Sequence, residues 1–89
     1  MTAEEIRAEV LAALGEIAPE ADPASLRADV GFREQLDVDS MDLLNFVVAL
    51  HERLGVDIPE TDYPKLSTLD RCVEYLAARV PAGRNARGA

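Results

Sequence analysis

Apolar residues recur at helical spacing in three stretches of the chain. In the first, Ile6, Val10, Leu14 and Ile17 follow at steps of four, four and three. That period keeps side chains on one face of an α-helix. Thr2 stands three residues before Glu5, the spacing of a capping box. Pro19 supplies the stop, since proline lacks the amide donor and clashes with the preceding turn.

The second stretch carries two stripes. Leu43, Phe46, Val47, Leu50 and Leu54 make an ordinary core face, while Met41, Leu44 and Val48 lie on another side of the same helix. Asp39 and Ser40 are both good N-caps for it, and Asp42 in the first turn suits the positive end of the helix dipole. Gly55 closes it after Leu54, because glycine takes the left-handed conformation without cost. A helix in a small bundle rarely buries both faces. Spacing alone leaves two readings of the second stripe: a docking patch, or a face covered by the first helix or a loop.

The third stretch places Leu69, Cys72, Val73, Leu76 and Val80 on one face, with Ser67 or Thr68 as its cap and Pro81 as its end. Between the first two helices, residues 19–39 form a long connection in which Leu26, Val30, Phe32 and Leu36 are isolated apolar residues. Loops beyond about 12 to 15 residues are usually functional or disordered, and these spaced apolar residues predict packing over the core. Val56-Asp57-Ile58-Pro59 bridges to a single helical turn over 60–65, limited by Pro64. With no β-type alternation, the pattern predicts an all-α fold. It is a four-helix bundle of three longer helices and one short one, spanning residues 1–81 and followed by a disordered tail over 82–89.

Length narrows the function. A chain of 89 residues buries only about 60% of the surface its unfolded form exposes. Nearly every apolar side chain is then needed for one core, which disfavours a deep catalytic cleft. The net charge of −8 is uneven: residues 1–70 hold 16 acids against 5 bases, near −11, while 71–89 hold 4 arginines against 1 glutamate, near +3. An acidic body repels nucleic acid and anionic lipid and speeds association with basic partners. No nucleic-acid partner and no membrane insertion are expected. The lone Cys72 excludes an internal disulfide, the first residues do not form a signal peptide, and no apolar run approaches the roughly 20 residues of a membrane span. The expectation is a cytoplasmic monomer.

Candidate chemistry gathers around Ser40. A serine between acids at a helix start is by itself usually a cap. This one follows a long loop and opens the most apolar helix, at an end whose free amides and dipole favour a phosphate. It has no catalytic base. His51, the only histidine, lies 11 residues along the same helix, roughly 16 Å away at about 1.5 Å per residue, and reads as solvated. The run from Asp37 to Asp42 fails as a calcium loop, because Met41 occupies the fifth position and the turn glycine is absent. A lone histidine and a lone cysteine do not make a metal site. Cys72, at core spacing, reads as a buried, inert thiol. No catalytic set emerges, and the chain reads as a non-enzyme.

The segment Leu36-Asp37-Val38-Asp39-Ser40-Met41-Asp42 resembles the Leu-Gly-x-Asp-Ser-Leu-Asp attachment motif of the acyl carrier proteins, the phosphopantetheine-binding carrier family. Leu54-Gly55-Val56-Asp57-Ile58-Pro59 and Leu66-Ser67-Thr68-Leu69 match at family spacing, and the resemblance covers roughly residues 3–80. It implies a four-helix carrier fold and a 4'-phosphopantetheine cofactor, transferred from coenzyme A to the Ser40 hydroxyl by a phosphopantetheinyl transferase. Asp39 would help engage that transferase. Met41, Leu44 and Val48, beside Asp42, would meet acyl-loading and acyl-processing enzymes.

The sequence departs from the pattern at several places. Asp37 replaces the usual glycine, Pro64 intrudes on the short helix, and Asn45, His51 and Arg53 stand where fatty-acid-synthesis carriers often have acids. These departures point to a specialised pathway, polyketide-like, lipid-modifying or aminoacyl-loading. Phe46, Leu50, Ile58, Leu66 and Leu69 are candidates to shelter an acyl chain, or simply to fill the core. The alternatives are an aminoacyl or peptidyl carrier, which the missing glycine pair before Ser40 disfavours, and a helical interaction module in which Ser40 is only a cap.

Overall fold

Thr2 opens the first helix as its spacing predicts. The Thr2 hydroxyl accepts a hydrogen bond from the Glu5 amide at 3.1 Å, and the Glu5 carboxylate accepts from the Thr2 amide at 2.8 Å. That backbone bond holds the Glu5 carboxyl below its ordinary value. Helix α1 runs Ala3–Ile17 in the computed structural model, which describes residues 2–80. Ile6, Val10, Ala13 and Leu14 are buried on it. Ala18 caps it immediately before Pro19.

The long connection is more ordered than its sequence implies. It contains a single helical turn, α2, Phe32–Gln35, which is too short for any period to reveal. Gln35 organises the chain around this turn. Its Oε1 accepts from the Arg27 amide at 2.9 Å, and its Nε2 donates to the carbonyls of Arg27 at 2.7 Å and Val30 at 2.9 Å. The connection is fastened to the far end of the molecule as well. The Phe32 amide donates to the Ser67 carbonyl at 2.8 Å, and the Asp70 amide to the Ala28 carbonyl at 3.0 Å. Phe32 is buried, with its ring edge-on to Phe46 and centroids 5.6 Å apart.

Helix α3, Ser40–Leu54, buries Phe46, Val47, Ala49, Leu50 and Leu54. Leu43, at the end of the expected core stripe, is half-buried. Gly55 ends the helix in the left-handed region at φ 66°, its amide donating to the His51 carbonyl at 2.8 Å. The expected turn after Pro59 is a 3-10 helix, Glu60–Leu66, with Pro64 inside it. Proline excludes an α-helix at this point by removing a donor and crowding the carbonyl four residues back.

Helix α4, Leu69–Arg79, begins at Thr68, whose hydroxyl accepts from the Arg71 amide at 3.0 Å. It buries Leu69, Cys72 and Leu76. Pro81, the basic residues Arg84 and Arg87, and the tail expected over 82–89 lie outside the described residues.

Helix α1 packs against both α3 and α4, and the 3-10 helix packs on α4. The buried apolar residues of all these elements form one core, with no buried polar side chain among the described residues. The described elements are all helical, as the hydrophobic pattern predicts. An ion-pair cluster crosses the α1–α3 contact. Arg53 donates to Glu16 through Nε at 3.0 Å and a terminal nitrogen at 2.7 Å, and to Glu9 at 3.0 Å.

Asp62 joins the 3-10 helix to α4. Its carboxylate accepts from the Tyr75 hydroxyl at 2.7 Å and from Arg79 at 2.8 Å. The Tyr75 hydrogen bond, with Lys65 and Arg79 nearby, holds the Asp62 carboxyl below its usual value. Desolvation and the same bond push the Tyr75 hydroxyl up to about 12. A carboxyl with a lowered folded value adds stability above its unfolded value and loses it as the pH falls through the folded one. Asp62→Asn should therefore unfold at lower urea than wild type near pH 7, and the gap should close below about pH 4. Urea melts of both proteins at about pH 7 and about pH 3 measure this; a gap constant with pH would show that the charge of Asp62 contributes nothing.

Candidate functional site

The start of α3 separates two roles that the sequence left open between neighbours. Asp39, not Ser40, is the N-cap: its carboxylate accepts from the Asp42 amide at 3.0 Å, and the Asp42 carboxylate accepts from the Asp39 amide at 3.2 Å. This is a capping box with aspartate in both positions. Ser40 occupies the first helical position, is exposed, and makes no hydrogen bond through its hydroxyl among the described residues. The reading of Ser40 as a helix cap is thus corrected.

Asp37 stands where the resembling motif has glycine. Among the described residues only Gly55 has a positive φ, so Asp37 sits in ordinary backbone and the chain needs no glycine there. Asp37 is exposed, and the bend is held by the Val38 amide donating to the Leu36 carbonyl at 3.0 Å.

From Ser40 the exposed face of α3 continues through Met41, Leu44 and Val48, which are 66%, 44% and 47% exposed. These are the exposed large apolar side chains of the described residues. Neither the first helix nor the connection covers them. Phe46, Leu50 and Leu54 face the opposite way, into α1, and are at most 2% exposed. The two stripes separate cleanly because their positions diverge around the helix by the 3.6-residue period.

Two surface hollows flank this face. One, of about 430 Å³, is lined by Phe32, Val38, Leu43, Tyr63, Pro64 and Leu66, among others. Val38 and Leu43 bracket Ser40 in sequence, so this hollow opens beside the start of α3. The other, of about 340 Å³, lies at the far end of the same helix between Val47, Val48, His51, Asp57, Ile58 and Pro59.

The candidates for sheltering an acyl chain therefore divide between the two readings. Phe46, Leu50 and Leu69 fill the core, Ile58 lines the far hollow, and only Leu66 lines the hollow near Ser40. Phe32, Val38 and Tyr63 were missed because they lie outside the long helices, where spacing carries no signal.

His51 is less free than its sequence position implies. Its Nδ1 lies 3.1 Å from the Val56 carbonyl oxygen and 3.3 Å from the Asp57 carboxylate. Helix α3 is continuous from Ser40 to Leu54, so the separation that excludes a Ser40–His51 pair stands. Cys72 is fully buried, and desolvation pushes its thiol up to about 12, which leaves it protonated and inert. No group of three or more metal-ligating side chains occurs among the described residues.

Comparison with known proteins matches residues 4–76 to the family model of the phosphopantetheine attachment site. The chain belongs to this family of acyl carrier proteins. It is 32% identical to the acyl carrier protein of Rubrobacter xylanophilus and 36% identical to that of Renibacterium salmoninarum, each alignment covering 79% of this chain and 90% of the relative. The acyl carrier protein of Rhodococcus erythropolis is 30% identical over 91% of this chain and 92% of its own. The fold matches the solution structure of a candidate acyl carrier protein from Anaplasma phagocytophilum with a TM-score of 0.75 and 26% identity, over 88% of this chain and 91% of that one.

The protein is accordingly a carrier and not an enzyme, and its prosthetic group is a covalently attached 4'-phosphopantetheine. The geometry at the start of α3 fits such a group, since a partner-free, exposed hydroxyl can be esterified without breaking any bond of the fold.

The division of roles between Asp39 and Ser40 has a measurable consequence. Asp39→Ala should lower stability by about 1 kcal/mol through loss of the cap, while Ser40→Ala should leave the urea midpoint almost unchanged. Equal losses in the two variants would return Ser40 to the role of a cap.

Proposed function

We propose that Ser40 carries the phosphopantetheine arm and that the protein shuttles thioester-linked acyl intermediates between the enzymes of a specialised pathway. The observation that carries this reading is the free hydroxyl of Ser40 at the first position of α3, with Asp39 taking the capping role beside it. The arm, when bound, supplies the thiol on which an acyl group is held, so reactivity belongs to the cofactor and presentation to the protein.

The residues around Ser40 bear on how the arm is attached. Asp39 and Asp42 place two carboxylates within the first turn, and these oppose the attraction of the helix dipole for a phosphate. A covalent ester, not electrostatic capture, is what this site is suited to hold. Among the described residues no histidine lies near Ser40, and the Asp39 and Asp42 carboxylates are committed to the capping box, so the proton of its hydroxyl is left for the transferase that loads it to take. Asp39, exposed beside the hydroxyl, is the residue for that enzyme to grip.

Met41, Leu44 and Val48 form the docking surface for partner enzymes, with Asp42 at its edge. Their exposure supports this role, because an apolar stripe left in water on so small a protein calls for an occupant. The specialised pathway is supported by the uncharged Asn45 and by His51 on this helix, and by Arg53, whose positive charge is held by Glu9 and Glu16 of α1. A partner built for a more acidic helix would find fewer carboxylates here.

Two experiments test the proposal. Intact mass after incubation with coenzyme A, magnesium and a broad-specificity phosphopantetheinyl transferase should rise by one phosphopantetheine in wild type and not in Ser40→Ala; no gain in either folded protein would remove Ser40 as the attachment site. Replacing Met41, Leu44 and Val48 singly by serine should slow that loading roughly three- to tenfold with stability within about 0.5 kcal/mol of wild type. Unchanged loading rates in all three variants would place the docking surface elsewhere.

A further inference from the structure

We propose that the hollow beside Ser40 selects acyl cargo bearing a carbonyl oxygen along its chain, with the Tyr63 hydroxyl as the hydrogen-bond donor that reads it. The inference rests on the carrier reading and deepens it by naming a class of cargo.

The hollow has the make-up of a ligand cleft. Its volume is about 430 Å³, inside the range of roughly 300 to 1,000 Å³ in which small molecules are held by apolar walls and a few polar groups. Phe32, Val38, Leu43 and Leu66 are its buried or half-buried apolar walls. The polar side chains that line it are Arg33, Glu34, Tyr63 and Ser67. Arg33, Glu34 and Ser67 are exposed, so water serves them whatever the hollow holds. Tyr63 is half-buried, the one polar side chain of the lining withdrawn from solvent.

The hydroxyls of the two tyrosines differ in their commitments. Tyr75 donates to the Asp62 carboxylate at 2.7 Å. Tyr63, the residue after that aspartate, makes no hydrogen bond through its hydroxyl among the described residues, and the group is not sealed from water. Its backbone is nevertheless well held. Asp62 is fastened to α4 by Tyr75 and Arg79, and Leu66, at the other end of the 3-10 helix, is fully buried. A free donor on a fixed element is the arrangement that reads a ligand group by position.

What the hollow prefers follows from that hydroxyl. A saturated acyl chain laid against the apolar walls takes water from the phenol and leaves it without a partner, which offsets part of the gain from burying the chain. A chain with a carbonyl at the level of the ring puts an acceptor where the water was, and keeps both gains. A ketone suits a donor best, because it accepts and asks for nothing in return. Sites that hydrogen-bond a substrate group reject the analogue lacking it more strongly than apolar walls tell chain lengths apart. Access is direct, since Val38 and Leu43 line the hollow and lie on either side of Ser40 in sequence. A flexible arm rooted at Ser40 can return its end to a hollow beside its root.

The test uses the full chain, labelled with nitrogen-15 and loaded with the bare arm, with an octanoyl arm or with a 3-oxooctanoyl arm. The acyl groups are joined by an amide in place of the thioester, so that they do not hydrolyse. Intact mass reports the loading of each sample, and a protein that takes no arm overturns the carrier reading and this inference together. In loaded wild type, 3-oxooctanoyl should displace the amide signals of Val38, Tyr63 and Leu66 from their bare-arm positions roughly twice as far as octanoyl does. Tyr63→Phe keeps the ring and removes the hydroxyl, and should bring the two cargoes to the same displacement. A merely structural role for Tyr63 would move both cargoes alike. Equal displacements in wild type, or a difference that survives in Tyr63→Phe, overturns the proposal while leaving Ser40 as the attachment site. Signals of Tyr63 that move fully with the bare arm, and no further with cargo, would give the hydroxyl to the amide carbonyls of the arm and overturn the assignment to cargo.

Discussion

Helix α1 is the surface on which the rest of the molecule is assembled. It packs against both α3 and α4, and Ile6, Val10, Ala13 and Leu14 give each of them its buried wall. Each aliphatic side chain removed from water contributes about 1.5 to 3 kcal/mol, and a chain of this size has only one core in which to collect that gain. Helix α3 can meet α1 along one face and no more. The exposure of Met41, Leu44 and Val48 is therefore a consequence of how α3 packs, because the stripe that fills the core leaves the other stripe without a neighbour. The proposed docking surface and the core are two sides of one helix, and neither can change its register without moving the other.

The same economy appears at the start of α3. The exposed amides there need a partner, and a serine in the capping position would give its hydroxyl to that task. Asp39 takes it instead, with Asp42 completing the exchange. The residue between them is left with an uncommitted hydroxyl on a rigid helical turn, close to the apolar stripe and to the hollow at Val38 and Leu43. Stability and chemistry thus rest on different side chains. That arrangement would let Ser40 carry the proposed arm while the helix keeps its cap.

Much of this was legible in the sequence, and what was not has identifiable causes. The three long helices announced themselves because a period of 3.6 needs several turns to be seen, and α1, α3 and α4 have them. Their ends were legible from Thr2, Thr68 and Gly55, residues with one favourable local conformation each. The turn at Phe32–Gln35 was hidden because four residues contain no repeat. Gln35 was hidden for another reason. It binds the backbone of Arg27 and Val30, and hydrogen bonds to backbone leave no trace in the identity of the partners. The second apolar stripe of α3 was readable, but whether anything covered it depended on where the connection runs, which only the tertiary structure decides.

The charge of α3 shows most clearly how a count of residues differs from their arrangement. By sequence, Asn45, His51 and Arg53 together make α3 less acidic than expected for its family. In the structure Arg53 reaches across to Glu9 and Glu16, so its charge is matched by α1. His51 turns toward the Val56 carbonyl and Asp57. The three substitutions are thus three different changes. One removes a charge, one redirects a charge into the α1–α3 contact, and one ties the end of the helix to the segment that follows it. A partner approaching the exposed face would meet the first and the third, while the second is spent inside the fold.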